Sequence, residues 1–319
     1  MDLSFLTPVA VFFGLLAALP LAIFVRRRRR AEQIRSALGL AGGSGHSWLA
    51  LAICLAAVPV LVGVAAAQPV ITSTRTVPQR SDAEAFVVVD TSRSMLASSG
   101  SGEPTRFGRA QEDVVALQEA LEDVPLGLAS FTDRVLPHLF PTVDQRVFRE
   151  TTREALGIER PPPSTSFGTN VTSLDALGVV PTLAFFSPKA KKRALVVFTD
   201  GESQPVSTLG AEFAQGPNID VTFVRMGDGS ERIWESGVAE AGYTPDPDTG
   251  ETLTAAAAAV DGTVLEEGRV SEAAAAVRTT LGTGPTTPRR IEGNRQALMP
   301  YVALLTIIPL GFVLYRRNL

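Results

Sequence analysis

The sequence predicts a doubly wound α/β domain, its sheet mostly parallel with one antiparallel edge strand, joined to three transmembrane helices. Three observations carry this expectation. Across the middle of the 319-residue chain, short apolar runs bounded by turn residues alternate with stretches of helical periodicity, the pattern of strand–helix–strand units. Two runs, residues 86–89 and 194–198, are apolar at consecutive positions, as strands covered on both faces must be. Three longer apolar stretches lie outside this region, and the mean hydropathy of the whole chain is positive, which points to one soluble domain plus membrane spans.

Residues 5–25 and 48–67 each approach the roughly 20 residues needed to cross about 30 Å of hydrocarbon, and residues 298–315 are slightly fewer. Pro20, Pro59 and Pro309 fall inside these stretches; spanning helices tolerate proline where neighbours compensate for the missing hydrogen bond. Arg26 to Arg30 follow the first span and Arg35 precedes the second, so residues 26–47 form a basic loop on the cytoplasmic side. No basic residue precedes the first span, so it reads as an anchor and not as a cleavable signal. The amino terminus is then expected outside, the central domain extracytoplasmic, and Arg316 and Arg317 inside. Membrane lipids, their anionic headgroups first, are the expected partners of the arginine run.

The domain is expected over residues 82–282, after a hinge-like segment at 68–80. The first strand ends at Asp90. A helix over 106–121 follows, with Ala110, Val114, Leu117 and Leu121 at helical spacing. Residues 126–131 and 135–140 read as a hairpin at the sheet edge, where Pro137 and Pro141 are tolerated. A helix at 143–156 precedes Pro161 to Pro163. A strand ending at Asp200 and another at 219–226 come next, then a helix at 231–241. Helices at 253–260 and 271–281 flank a last strand at 263–265, and residues 283–297 form the linker to the final span.

Outside the spans and their flanks, residues 68–297 hold 31 acidic and 21 basic residues. Such a domain is unsuited to nucleic acid and compatible with recruiting cations. The single cysteine, Cys54, lies in the second span and packs as a small apolar residue. His46 and His138 are the two histidines, which leaves little for histidine-based acid or base catalysis. No nucleophile elbow, zinc-helix pair or phosphate-binding glycine loop is present.

Asp90, Ser92 and Ser94 follow the first apolar strand and share one loop at the end of the sheet where ligands bind. The second apolar strand delivers Asp200 to its own tip. Between them, Gly168 allows a tight approach and Thr169 can place a hydroxyl at the start of a helix. Together these supply five oxygen donors, the chemistry that hard divalent cations take. Each residue taken alone is an ordinary cap or turn former; the conjunction points to a site. Thr172, Asp175, Asp133 and Glu202 are further nearby oxygens with local structural explanations.

At these residues the chain resembles the von Willebrand factor type A domain. Its metal-ion-dependent adhesion site uses Asp-x-Ser-x-Ser, a distant Thr and a distant Asp, here Asp90, Ser92, Ser94, Thr169 and Asp200. The resemblance implies a Mg2+ site, or Ca2+ or Mn2+, with one coordination position left for an acidic side chain of a protein partner. The two-span, domain, one-span layout is similar to the Bat aerotolerance-type membrane proteins of bacteria, as is a short hairpin insertion at 243–250. That narrower likeness implies other von Willebrand A or Bat-type membrane subunits, or a MoxR-type ATPase, as partners. The expected function is divalent-cation-dependent protein interaction at the cell envelope, without enzymatic activity. A metal-dependent hydrolase or phosphatase at the membrane and a regulatory subunit of a membrane complex are the alternatives.

Overall fold

The computed structural model describes residues 2–38, 47–160, 162 and 172–317. The chain divides into two compact units, Met1–Thr76 with Arg290–Leu319, and Val77–Arg289.

The first unit begins with β1 (Asp2–Phe5), a 3-10 helix (Pro8–Ala17) that runs into α1 (Ala18–Ala37), and α2 (Ser47–Ala66). Arg26 to Arg30, expected in a loop, continue α1. Arginine is a good helix former, and Arg28 pairs with Glu32 one turn on at 2.6 Å. A Cβ on Gly63 would fall 2.6 Å from the Gly14 amide nitrogen, so the two apolar helices approach at a pair of glycines that let their backbones come close. The expected hinge at 68–80 is instead β2 (Pro69–Arg80), antiparallel to β1 with Asp2 opposite Thr72. Its β-branched Val70, Ile71, Thr72, Thr74, Thr76 and Val77 favour extended backbone.

The second unit holds β3 (Ala83–Asp90), α3 (Arg106–Ala120), β4 (Leu126–Phe131), β5 (Val135–Thr142), α4 (Gln145–Glu154), α5 (Val179–Thr182) and β6 (Lys192–Thr199). It continues through α6 (Leu209–Gln215), β7 (Asp220–Arg225), the pair β8 (Trp234–Glu235) and β9 (Val238–Ala239), α7 (Thr249–Ala259), β10 (Thr263–Glu266) and α8 (Val270–Leu281). The chain returns to the first unit along β11 (Thr286–Ala297), then α9 (Met299–Leu305) and α10 (Ile307–Arg317). β11 shares a sheet with β2, so the expected linker at 283–297 is largely strand. Among the described residues, three helical segments, Pro8–Ala37, Trp48–Ala66 and Met299–Arg316, are long and apolar enough to cross a membrane.

The main sheet runs β10-β7-β6-β3-β4-β5. Every pairing is parallel except β4 with β5, which is antiparallel at the edge. This is the fold class expected from the sequence, the one that the resemblance implies. Successive side chains of a strand point to opposite faces, and β3 is covered on both. Val87 and Val89 join Ala110, Val114, Leu117 and Val277 on one side. Phe86 and Val88 join Leu174, Leu177, Leu253 and Ala256 on the other, where Phe86 meets Phe185 and Phe186 edge to face. Val89 lies opposite Phe198, so Asp90 and Thr199 end the two central strands side by side.

Other elements differ from expectation. The helix expected at 231–241 is a hairpin: Ser236 and Gly237 both take positive φ, 50° and 86°, the geometry of a two-residue turn that joins antiparallel strands. The hairpin expected at 243–250 therefore lies earlier. Asp246 there accepts from the Asp248 amide at 2.9 Å, a local turn before α7. The helix expected to begin at Thr169 starts outside the described residues; from Thr172, which forms a bridge to Ser203, the chain runs into a 3-10 turn at Leu174–Gly178 followed by α5. α6 was not foreseen.

Candidate metal centre

The site forms where the apolar pattern of β3 breaks. Asp90 is fully buried at the strand tip. Its Oδ1 accepts from the Ser92 amide at 2.9 Å, and the Ser92 and Ser94 hydroxyl oxygens lie 2.9 Å apart. Buried Met95 pins this loop into the core. From β6, Thr199 Oγ1 donates to Asp90 Oδ2 at 2.6 Å and itself accepts from the Gly201 amide at 3.1 Å. Asp200, 2 % exposed, accepts from the Glu202 amide through Oδ1 at 3.1 Å. Burial pushes the Asp90 carboxyl up to about 7, and the adjacent Asp200 charge pushes the same way against the Thr199 and Ser92 hydrogen bonds.

Two buried carboxylates that feel each other's charge, beside two hydroxyls, form a hard-oxygen donor set that lacks positive charge at Asp90, and it fits a divalent cation. Asp90, Ser92, Ser94 and Asp200 are the residues that would hold one. Thr169, the fifth expected ligand, lies outside the described residues. Among the described residues no three His, Cys, Asp or Glu side chains converge as a metal cluster.

Arg106, at the start of α3 and 2 % exposed, enters the same site. Its Nη1 donates to Asp200 Oδ2 at 2.9 Å and to Glu202 Oε1 at 3.0 Å. Nε donates to Glu231 Oε2 at 2.6 Å, and Nη2 to the Asp228 carbonyl at 2.9 Å. Tyr243 donates to Glu202 Oε1 at 2.6 Å, and Arg109 pairs with both Glu231 and Glu267. Burial opposes the charge on Arg106, but Asp200 and Glu231 overcome it and raise its pKa. Gly227 makes room for it: φ there is +73°, and a Cβ would overlap the guanidinium at Nε.

Of the other oxygens, Glu202 belongs to this arginine network, while Asp175 binds the amides of Ser207, Thr208 and Leu209 at the start of α6. Thr172 is buried and bridges to Ser203. Asp133 accepts from Thr132 Oγ1 at 3.3 Å. Thr199 and Arg106 went unnoticed in the sequence. Thr199 sits beside Asp200 in the strand-end pattern and was readable there, whereas nothing local distinguishes a buried arginine at a helix start from an exposed one.

No family model and no curated protein matches the chain. Solved structures similar to it include an aerotolerance-related membrane protein from Bacteroides fragilis, at 19 % identity over 62 % of this chain and 98 % of that one, TM-score 0.49. BatB from Bacteroides thetaiotaomicron is also 19 % identical, over 62 % and 97 %, TM-score 0.48. The manganese-loaded TRAP protein of Plasmodium vivax is 13 % identical, over 70 % and 83 %, TM-score 0.40.

Proposed function

We propose that this chain is a membrane-anchored, divalent-cation-dependent interaction module of the von Willebrand A type, which offers its ion to a carboxylate of a protein partner at the cell envelope. The observation that carries this is the junction of Asp90, Ser92, Ser94 and Asp200 at the tips of the two central strands. A bound ion would supply positive charge to the two carboxylates and an open position for an incoming acid. The residues do the rest: Thr199 and the Ser92 amide orient Asp90, and Arg106 orients Asp200. Mg2+ is the expected ion, with Mn2+ and Ca2+ as substitutes.

Among the described residues no histidine hydrogen-bonds to Asp90, Ser92, Ser94 or Asp200, which favours binding over hydrolysis. His138, the one histidine of the domain, lies on edge strand β5 with its Nε2 2.7 Å from Ser130 Oγ. Other Bat-type membrane subunits fit the extracytoplasmic orientation better than a MoxR-type ATPase. Calorimetric titration of the full chain in detergent with Mg2+ and Mn2+ tests the proposal. The wild type should bind, and Asp90→Ala should lose binding while keeping its unfolding transition. Equal binding by both proteins would refute it.

A further inference from the structure

Among the described residues Arg106 is the one guanidinium that enters the candidate centre, and three carboxylates surround it. One carboxylate is enough to neutralise the charge of a buried guanidinium, whose remaining N–H donors need only neutral acceptors. Here Asp200, Glu202 and Glu231 reach it from the end of β6 and the segment after β7, at 2.9, 3.0 and 2.6 Å. Glu231 is further shared with half-buried Arg109, which also holds Glu267. Acid thus outnumbers base around the site even before Asp90 is included, and Asp200 is claimed from both sides: by the guanidinium through Oδ2 and, on the reading above, by the metal ion.

Resting on that reading, we propose that Arg106 is a resident cation of the metal centre, a positioning residue that stabilises Asp200 in the absence of a divalent ion and competes with the ion for it. Two consequences follow from Coulomb's law. Without an ion, the guanidinium spares Asp200, Glu202 and Glu231 from being buried and unpaired. With an ion present, its charge opposes binding, so the arginine sets how much free cation is needed to fill the centre. A purely structural arginine has only the first effect.

The two are separable in the full-length protein in detergent, by following thermal unfolding with and without Mn2+ and titrating Mn2+ by calorimetry. Arg106→Met should unfold at a lower temperature than wild type in chelator and gain more from Mn2+ than wild type does. Its Mn2+ affinity should tighten by about tenfold or more, since even at the dielectric of bulk water a divalent ion roughly 6 Å from a unit charge is repelled by that much. Arg106→Lys, which keeps the charge but not the fork, should bind Mn2+ like the wild type. Should Arg106→Met not fold, Arg106→Gln retains an N–H donor for Asp200 and carries the same expectation. A variant equally destabilised with and without Mn2+, with affinity unchanged or weaker, overturns the proposal. A wild-type protein blind to Mn2+ and indistinguishable from Asp90→Ala overturns the metal-centre reading and this proposal with it.

Discussion

Thr199 holds the buried carboxylate of Asp90 and the turn that follows β6, because its hydroxyl donates to Oδ2 while accepting from the Gly201 amide. Leaving Asp90 with an unsatisfied oxygen in a dry site costs about 1–3 kcal/mol. Thr199→Val should therefore lose about that much stability in urea unfolding, and Thr199→Ser should recover most of it. A Thr199→Val protein as stable as wild type would show that the bond contributes nothing. Asp90, Ser92, Ser94 and Asp200 were legible because strand tips followed by oxygen-bearing side chains form a spaced pattern. Thr199 was readable beside Asp200 but its partner was not, and Arg106 was not legible at all, since their roles depend on what faces them across the fold. Asp90 is the partner of Thr199 109 residues away in the chain, and Arg106 meets Glu231 125 residues away.

At the scale of elements, α6 shows how a helix escapes sequence reading. It has seven residues, and Thr208 at its N-cap makes no side-chain capping bond. The cap comes instead from Asp175, whose carboxylate accepts from Ser207, Thr208 and Leu209. Burial raises the Asp175 pKa, but these hydrogen bonds outweigh it and hold the carboxyl below its usual range. Its stabilisation is thus present above the unfolded value and lost as pH falls through the lower folded one. Asp175→Ala should cost about 0.5–2 kcal/mol near neutral pH, with the difference from wild type vanishing in strong acid. Asp113 on α3 has the opposite sign. Burial, with help from Glu267, pushes it up to about 6, and its Oδ2 is buried without a hydrogen-bond partner. A raised carboxyl favours the fold below the unfolded value and ceases to do so as pH rises through the folded one. Asp113→Asn should raise the melting temperature near pH 8 and leave it little changed near pH 4, a comparison calorimetry makes directly. The central strands and the helices α3, α7 and α8 were legible from their apolar spacing. The β8–β9 hairpin was missed because the acidic, glycine-containing stretch around Ser236 and Gly237 carries no strand periodicity. β2 and β11 were missed because they pair with each other from opposite ends of the chain.

At the scale of the whole molecule, the arginines predict which side of the membrane the domain faces. Arg26 to Arg30 continue the first apolar helix and Arg35 lies near its end, while Arg316 and Arg317 close the last. Basic residues beside spans are retained in the cytoplasm. With all three apolar helical segments crossing the membrane, two before β3 and one after α8, both clusters lie inside only with the domain outside, and this is the orientation we predict. Cys54 is the sole cysteine, so a Cys54→Ala background makes the orientation readable by labelling. Lys189→Cys, at an exposed position of the domain, and Ser36→Cys, on the exposed end of α1, report on the two sides. In intact cells a membrane-impermeant maleimide should label Lys189→Cys and spare Ser36→Cys until the membrane is permeabilised. The reverse pattern would place the candidate metal centre in the cytoplasm, within reach of a MoxR-type ATPase, and would move the search for an acidic partner from the envelope to that compartment.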